Sequence, residues 1–370
     1  MGVRMKQVKL LALRQTTTTT AGIVIVAIIS MVIVSCSPSE SAVDDDFLSE
    51  QLKGIAVPDG EGAVMVAVVD AAGAVDYASE GSDPTGRPLG PEAVFRTGSI
   101  TKMFTAVLVL SLVDDGVVDL DSLATEYVAR VPVPEGVTVR DLLGHTSGIP
   151  DYLDLPTSFL QTVLDDPHRA WSPEEVVALV ADEEPLFVPG AQYSYSNTNY
   201  TILGVLIEEV TAMSFASALR ARILEPLGLD NTYLAGFEEG PDPFGAYTSL
   251  DGPTKPVDFE YTAIATGAWA AGGVVSSVAD LHVLLSALFN ERVISAESLA
   301  AMTENTEEGF GISRFSESGE VYGLGGVIPG YLTLVLHAPH TGRTAVLIVT
   351  NDGVSFDRPI EQLAAYISRS

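Results

Sequence analysis

Two hairpin-like segments of apolar, β-branched residues stand at opposite ends of this chain, and they constrain its fold more than any other feature. Val64 to Val69 and Val75 to Ala78 flank Asp70-Ala-Ala-Gly73, while Tyr331 to His337 and Thr344 to Thr350 flank Pro339 to Gly342. Strand-length apolar runs interrupted by Gly, Pro and Asp read as antiparallel hairpins. An amphipathic run, Pro359 to Ile367, closes the chain. Between the two hairpins, helical spacing dominates: Ser99 to Val113, Ser172 to about Ala181, Thr198 to Val210, Ser214 to Ile223, Val278 to Phe289 and Ser295 to Thr303. Pro- and Gly-rich loops separate these helices. The economical architecture is α/β: an antiparallel sheet flanked by helices and built from both chain ends, plus an all-helical unit inserted from about residue 121 to 262.

The first 35 residues read as an address. Arg4, Lys6, Lys9 and Arg14 precede an apolar run from Ala21 to Val34, with no acidic residue before Glu40, the layout of a secretory signal. That run is shorter than the roughly 20 residues that cross a hydrocarbon core, although an uncleaved anchor helix starting near Thr20 stays open. Ile33-Val34-Ser35-Cys36 resembles a bacterial lipobox, so Cys36 is the expected lipidation site and the protein an exported, membrane-anchored lipoprotein of a bacterial cell envelope. Residues 36–50 then form an acidic tether, and residues 51–370 the folded domain. Cys36 is the only cysteine, which excludes an intramolecular disulfide and a cysteine-based zinc site. A net charge of −30 repels phosphate backbones, so no nucleic-acid partner is expected.

Three segments could carry chemistry. In Ser99-Ile-Thr-Lys102 the two side chains share one helix face, so an ammonium reaches a hydroxyl at a helix N-terminus, as an activated nucleophile requires. Tyr195-Ser196-Asn197 places a phenol and an amide on a constrained turn after Pro189-Gly190. A Tyr beside a Lys can act as general acid or base, while the structural alternative is an Asn helix cap with a packed Tyr. Gly323 to Tyr331 is a glycine-rich entry to a strand, suited either to close substrate approach and an oxyanion-binding N–H or to a bulge. His145 invites a Ser–His pairing, and His337 with His340 reads as an exposed loop without metal. Asp114-Asp115 and Glu238-Glu239 read as solvated surface.

With these segments in order, the chain resembles the penicillin-recognising serine hydrolases, in the branch of class C β-lactamases, DD-carboxypeptidases and carboxylesterases. The resemblance runs from about residue 50 to the end. It is carried by Phe95-Arg-Thr-Gly-Ser99-Ile-Thr-Lys102, Leu142-Leu-Gly-His145-Thr-Ser-Gly148-Ile-Pro, Pro189-Gly-Ala-Gln-Tyr-Ser-Tyr195-Ser-Asn197, Ala271-Gly-Gly-Val-Val-Ser-Ser and Gly323 to Tyr331. It implies a sheet-plus-helical-domain fold with the site in the groove between, and a cofactor-free, metal-free serine hydrolase acting on a small-molecule or peptide substrate. Ser99 would be the nucleophile, Lys102 its electrostatic partner and proton relay, and Tyr195 the general base. His145 would belong to a structural turn beside the groove instead of pairing with Ser99. Asn197 would hold the substrate's acyl side-chain amide, and the backbone N–H groups of Ser99 and Val327 would form the oxyanion hole. Leu324, Gly325 and Gly326 would line the substrate, with Leu324 standing where the family carries Lys, His or Trp. The same resemblance also covers catalytically silent relatives that bind peptidoglycan or a partner, and D-amino-acid peptidases and transacylases.

Overall fold

The computed structural model describes residues 45–369, apart from residues 54, 59, 156–158, 251, 258–261, 305–308, 316–319 and 355–357. Cys36 and the expected signal segment lie outside the described residues. The strands, in chain order, are β1 (Gly62–Val69), β2 (Val75–Ser82), β3 (Val94–Arg96), β4 (Tyr233–Leu234), β5 (Tyr247–Thr248), β6 (Lys255–Pro256), β7 (Val274–Ser277), β8 (Ser313–Arg314), β9 (Tyr322–Ile328), β10 (Tyr331–Ala338) and β11 (Arg343–Val349).

The main sheet is antiparallel with order β2-β1-β11-β10-β9-β8. Within it the two chain ends pair, β1 with β11, with Val64 opposite Val349 and Val68 opposite Ala345. Because this sheet is covered on both faces, β1 is apolar at every position. Met65, Ala67 and Val69 face the core shared with the helices, while Val64, Val66 and Val68 face a second core. Edge strand β2 is partly or fully exposed along its whole length.

That second core revises the tether. A helix already begins at Asp45 and runs to Leu52. Its Leu48 and Leu52 are buried with Leu363 and Ile367 of the C-terminal helix, Arg358–Ile367. Phe47 stacks on Tyr366 at 4.1 Å between ring centroids. The polar residues of residues 36–50 thus conceal an apolar stripe at i and i+4, too short to stand out among the acids.

A second, three-stranded sheet, β3-β7-β4, has no counterpart in the sequence patterns, since strands of two to four residues show no period. It matters for position, because β3 leads directly into the Ser99 turn and Thr97 is tied to Val274 by both its N–H (3.0 Å) and its hydroxyl (2.8 Å). The segment Ser214 to Ile223 also departs from regular helix, passing after Leu219 into a π-helical turn, Arg220–Leu224.

The acidic pairs are not simply solvated. Asp114 accepts from the N–H and hydroxyl of Ser295 and from the Ser298 hydroxyl, fastening Ser295, the N-cap of the helix Ala296–Thr303, and Glu238 pairs with Arg220 at 2.6 Å.

His337 departs from its expected exposed loop as well. It lies within β10, opposite Thr344, and its Nδ1 sits 2.9 Å from the Thr344 hydroxyl, which also bonds His282 Nδ1 at 2.8 Å; His340 alone stays on the surface turn. Burial, with the neighbouring His282, holds the His337 pKa at about 4. The unfolded imidazole titrates near 6.5. Between those values the unfolded chain binds the extra proton, so this contribution to stability is complete above about pH 6.5 and is lost as pH falls toward about 4. We expect up to about 3 kcal/mol of such loss. Urea unfolding at a series of pH values checks it: His337→Gln should flatten the pH dependence in that window, and an unchanged slope would refute the assignment.

Candidate active site

Ser99 sits in a single 3-10 turn, Gly98–Ile100, that opens the buried helix Thr101–Asp114. Gly98 has φ +54, a conformation that side chains with a Cβ rarely adopt. A Cβ there would fall 2.8 Å from the Val327 nitrogen, and one on Gly326 would overlap the Thr97 carbonyl oxygen. That carbonyl also accepts from the Thr333 hydroxyl at 3.0 Å. Two glycines therefore let the Ser99 turn lie directly on β9, backbone against backbone, with Ser99 and Val327 brought alongside each other. The open space at Gly326 is filled by the protein's own chain.

Of the β9 residues expected to meet substrate, Gly325 is partly exposed and Val327 is 38% exposed, whereas Gly326 and Leu324 are buried. Leu324 is 5% exposed and belongs to the main core between sheet and helices. Its register opposite Val335 places it on the helix-facing side of the sheet, but it offers a substrate only a sliver of surface.

The polar groups converge on Ser99. Its Oγ lies 2.7 Å from the Tyr195 hydroxyl and 3.3 Å from Lys102 Nζ. Lys102 is fully buried, and a buried ammonium must be surrounded by acceptors. Nζ donates to Asn197 Oδ1 at 2.7 Å and to the Ala271 carbonyl at 2.8 Å, and it lies 4.9 Å from the Tyr195 ring centroid. Those two acceptors cannot donate, so two Nζ protons are committed. The third position faces Ser99 and works in either direction: an ammonium donates a proton there, and a neutral amine accepts one.

The Ala271 carbonyl that reaches Lys102 lies two residues after a break in the segment Thr262–Gly272 at Trp269, which has φ +33 and ψ −121. Gly204 makes room for that indole; a Cβ on it would fall 2.6 Å from the Trp269 ring. Strain of this kind is kept where surrounding structure enforces it. Neither the kink nor the carbonyl has a signature in sequence, although Ala271 begins one of the five matching segments.

Tyr195 is held from behind by His145, whose ring stacks on it at 4.5 Å and lies 5.2 Å from the Tyr200 ring. His145 Nδ1 accepts from the Ser196 N–H at 3.1 Å, so in the neutral ring the proton is on Nε2. This agrees with a supporting turn.

Asn197 is not the helix cap that the sequence alternative required. Ser196 occupies that position in the helix Asn197–Thr211, without a side-chain capping bond. Asn197 instead bridges Lys102 and a carboxylate: its Nδ2 donates to Asp151 Oδ2 at 2.8 Å. One of its two amide protons is thereby taken, and only the second remains to meet a substrate amide. Asp151 was missed in the sequence because an acid beside Tyr152 in a loop has no period that links it to a turn 46 positions away.

Comparison with known proteins covers most of the chain. A family model described as Beta-lactamase matches residues 54–366. Penicillin-binding protein 4* of Bacillus subtilis (strain 168) is 26% identical over 304 residues, covering 76% of this chain and 66% of that protein. Penicillin-binding protein 4 of Amycolatopsis lactamdurans is 36% identical over 150 residues, 39% of this chain and 37% of that one. The chain thus spans less than two thirds of these relatives' own length. Among solved structures, a D-stereospecific amidohydrolase from Streptomyces sp. superposes with a TM-score of 0.75 at 28% identity, covering 88% of this chain and 98% of that one. The D-amino acid amidase from Ochrobactrum anthropi SV3, complexed with D-phenylalanine, gives a TM-score of 0.70 at 27% identity, with 83% and 90% covered.

Proposed function

The chain belongs to the Beta-lactamase family, and from that membership we propose that it is a serine hydrolase that cleaves amide or peptide bonds, and related esters, through an acyl-enzyme on Ser99. The observation that carries this reading is the 2.7 Å approach of the Ser99 and Tyr195 hydroxyls beside buried Lys102. In this mechanism Tyr195 takes the Ser99 proton as Oγ bonds to the substrate carbonyl carbon, with the Lys102 charge stabilising the phenolate. The N–H groups of Ser99 and Val327 face the developing oxyanion. Collapse breaks the carbonyl–nitrogen bond, and the proton held by Tyr195 goes to the leaving amine. Water then attacks the ester, gives up its proton by the same route, and releases the acid and free Ser99.

For substrate class we propose neutral acyl compounds, D-amino acid amides foremost, over substrates that present a carboxylate. The D-stereospecific amidohydrolase and D-amino acid amidase neighbours support the amide. Leu324 supports neutrality, since it can donate nothing where relatives carry a cationic or donor side chain. The arginines that could replace it are engaged elsewhere. Arg314 stands over the Tyr322 ring at 5.7 Å, and Arg343 donates to the Arg369 carbonyl at the far end of β10 and β11.

A hydrogen bond to a charged group contributes about 1.5 to 3 kcal/mol, so its absence should cost roughly ten- to 150-fold on carboxylate substrates. Steady-state assays with D-phenylalanine amide, a neutral nitrophenyl ester and nitrocefin test this. Leu324→His should raise kcat/KM for nitrocefin and leave the ester nearly unchanged. Efficient nitrocefin hydrolysis by the unaltered protein, with no gain from the imidazole, would overturn the substrate assignment.

A further inference from the structure

The loop that carries Asp151 is fastened to the start of the helix Asn197–Thr211. The Pro150 carbonyl accepts from the Ser196 and Thr198 hydroxyls at 3.2 and 2.8 Å, and the Tyr152 N–H donates to the Thr198 hydroxyl at 3.1 Å. Tyr152 is itself pinned by a bond from its hydroxyl to the Gly267 carbonyl. Within this clamp the Asp151 side chain is 9% exposed. Oδ1 accepts from the Leu153 N–H at 3.1 Å and Oδ2 from Asn197 Nδ2 at 2.8 Å. Both oxygens receive donors, as suits a carboxylate, and the carboxylate also meets the backbone of Asn197, the first residue of its helix, where the peptide dipoles favour negative charge.

We infer that Asp151 is a positioning residue of this site: its carboxylate fixes the Asn197 amide with the oxygen toward Lys102, and balances the Lys102 charge across that amide. The inference rests on the hydrolytic role proposed for Ser99 and Lys102. A carboxylate only accepts and an ammonium only donates. With one at each end, the amide has a single favourable orientation; turned over, it would set oxygen against oxygen and NH2 against the ammonium. Asn197 thereby becomes a rigid spacer between two opposite charges, and one fixed N–H remains for a substrate.

The ionisable groups around this pair come from three elements. Lys102 lies on the helix Thr101–Asp114. Tyr195 precedes, and Tyr200 lies in, the helix Asn197–Thr211. His145 and Tyr152 flank Asp151 in its own segment. The segment Thr262–Gly272 contributes the Gly267 and Ala271 carbonyls. Burial holds the Asp151 carboxyl above its ordinary value, with the Leu153 N–H, the Lys102 charge and the Asn197 donors pulling against that rise. Lys102 is thus the cation that answers Asp151, and the linkage runs both ways: without Asp151, the Lys102 ammonium becomes more acidic.

The test follows the Lys102 Nζ resonance through a pH titration of the 15N-lysine-labelled protein, in parallel with kcat and KM for a neutral ester. In Asp151→Asn and Asp151→Ser, checked for folding by circular dichroism, Lys102 should titrate at least about half a unit lower than in the unaltered protein. Their kcat should fall about tenfold or more, with KM changed less. The Ser variant decides the matter should the Asn variant fail to fold. An unmoved Lys102 titration in either folded variant overturns the inference. Because the resonance is read without turnover, a protein that hydrolyses nothing would refute the hydrolase proposal while leaving this test intact.

Discussion

Replacing Ser99 with alanine should lower turnover by a factor on the order of 10⁴ or more while leaving the protein folded, because the change removes the one atom that forms the acyl bond. The lost hydroxyl touches Tyr195 and Lys102, and Lys102 keeps its bonds to Asn197 and Ala271. The ammonium thus keeps two of its three acceptors, and alanine opens no large void in the turn. We expect a melting temperature within a few degrees of the unaltered protein, since removing an active-site group of this kind changes stability by about 1 kcal/mol or less. Hydrolysis rates and a thermal melt on the same sample check both halves. Activity above a few per cent of normal, in a variant free of contaminating enzyme, would exclude Ser99 as nucleophile.

The second large effect belongs to Tyr195→Phe. The ring stays, with its stacking on His145 and its position beside Lys102; only the hydroxyl at 2.7 Å from Ser99 Oγ is lost. Removing a general base lowers rates by roughly 10²- to 10⁴-fold. We therefore expect kcat to fall by at least a hundredfold with KM little altered, because the packing that shapes the groove is kept. A near-normal kcat would shift the base role to Lys102, whose third Nζ position faces Ser99 in a geometry that also fits proton acceptance.

What the sequence disclosed follows from the range over which each contact acts. The end-to-end sheet was legible because its strands are buried on both faces, so Val64 to Val69 and Thr344 to Thr350 appear as unbroken apolar runs. The Ser99 and Lys102 pair was legible because three positions along a helix define a distance. The fastening of Asn197 and Lys102 was not, since Asp151 meets Asn197, and Ala271 meets Lys102, only through the tertiary fold. The strained Trp269 leaves no trace either, because nothing in an Ala- and Gly-rich segment announces a broken helix. Gly326 was read as room for a substrate, and the fold uses that room for the Thr97 carbonyl. His337 looked exposed because a proline and a glycine follow it, yet the hairpin turn begins only after Ala338. The apolar stripe of the first helix was hidden by the acids around Leu48.

The most direct measurement is to trap the covalent intermediate and locate it. The protein is mixed with a slowly released acyl donor, quenched in acid, and analysed by intact mass and then by peptide mapping. The account predicts a mass increase equal to one acyl group, carried on the peptide containing Ser99 and absent from Ser99→Ala. An acyl group on any other residue, or a label that survives the alanine substitution, would contradict it.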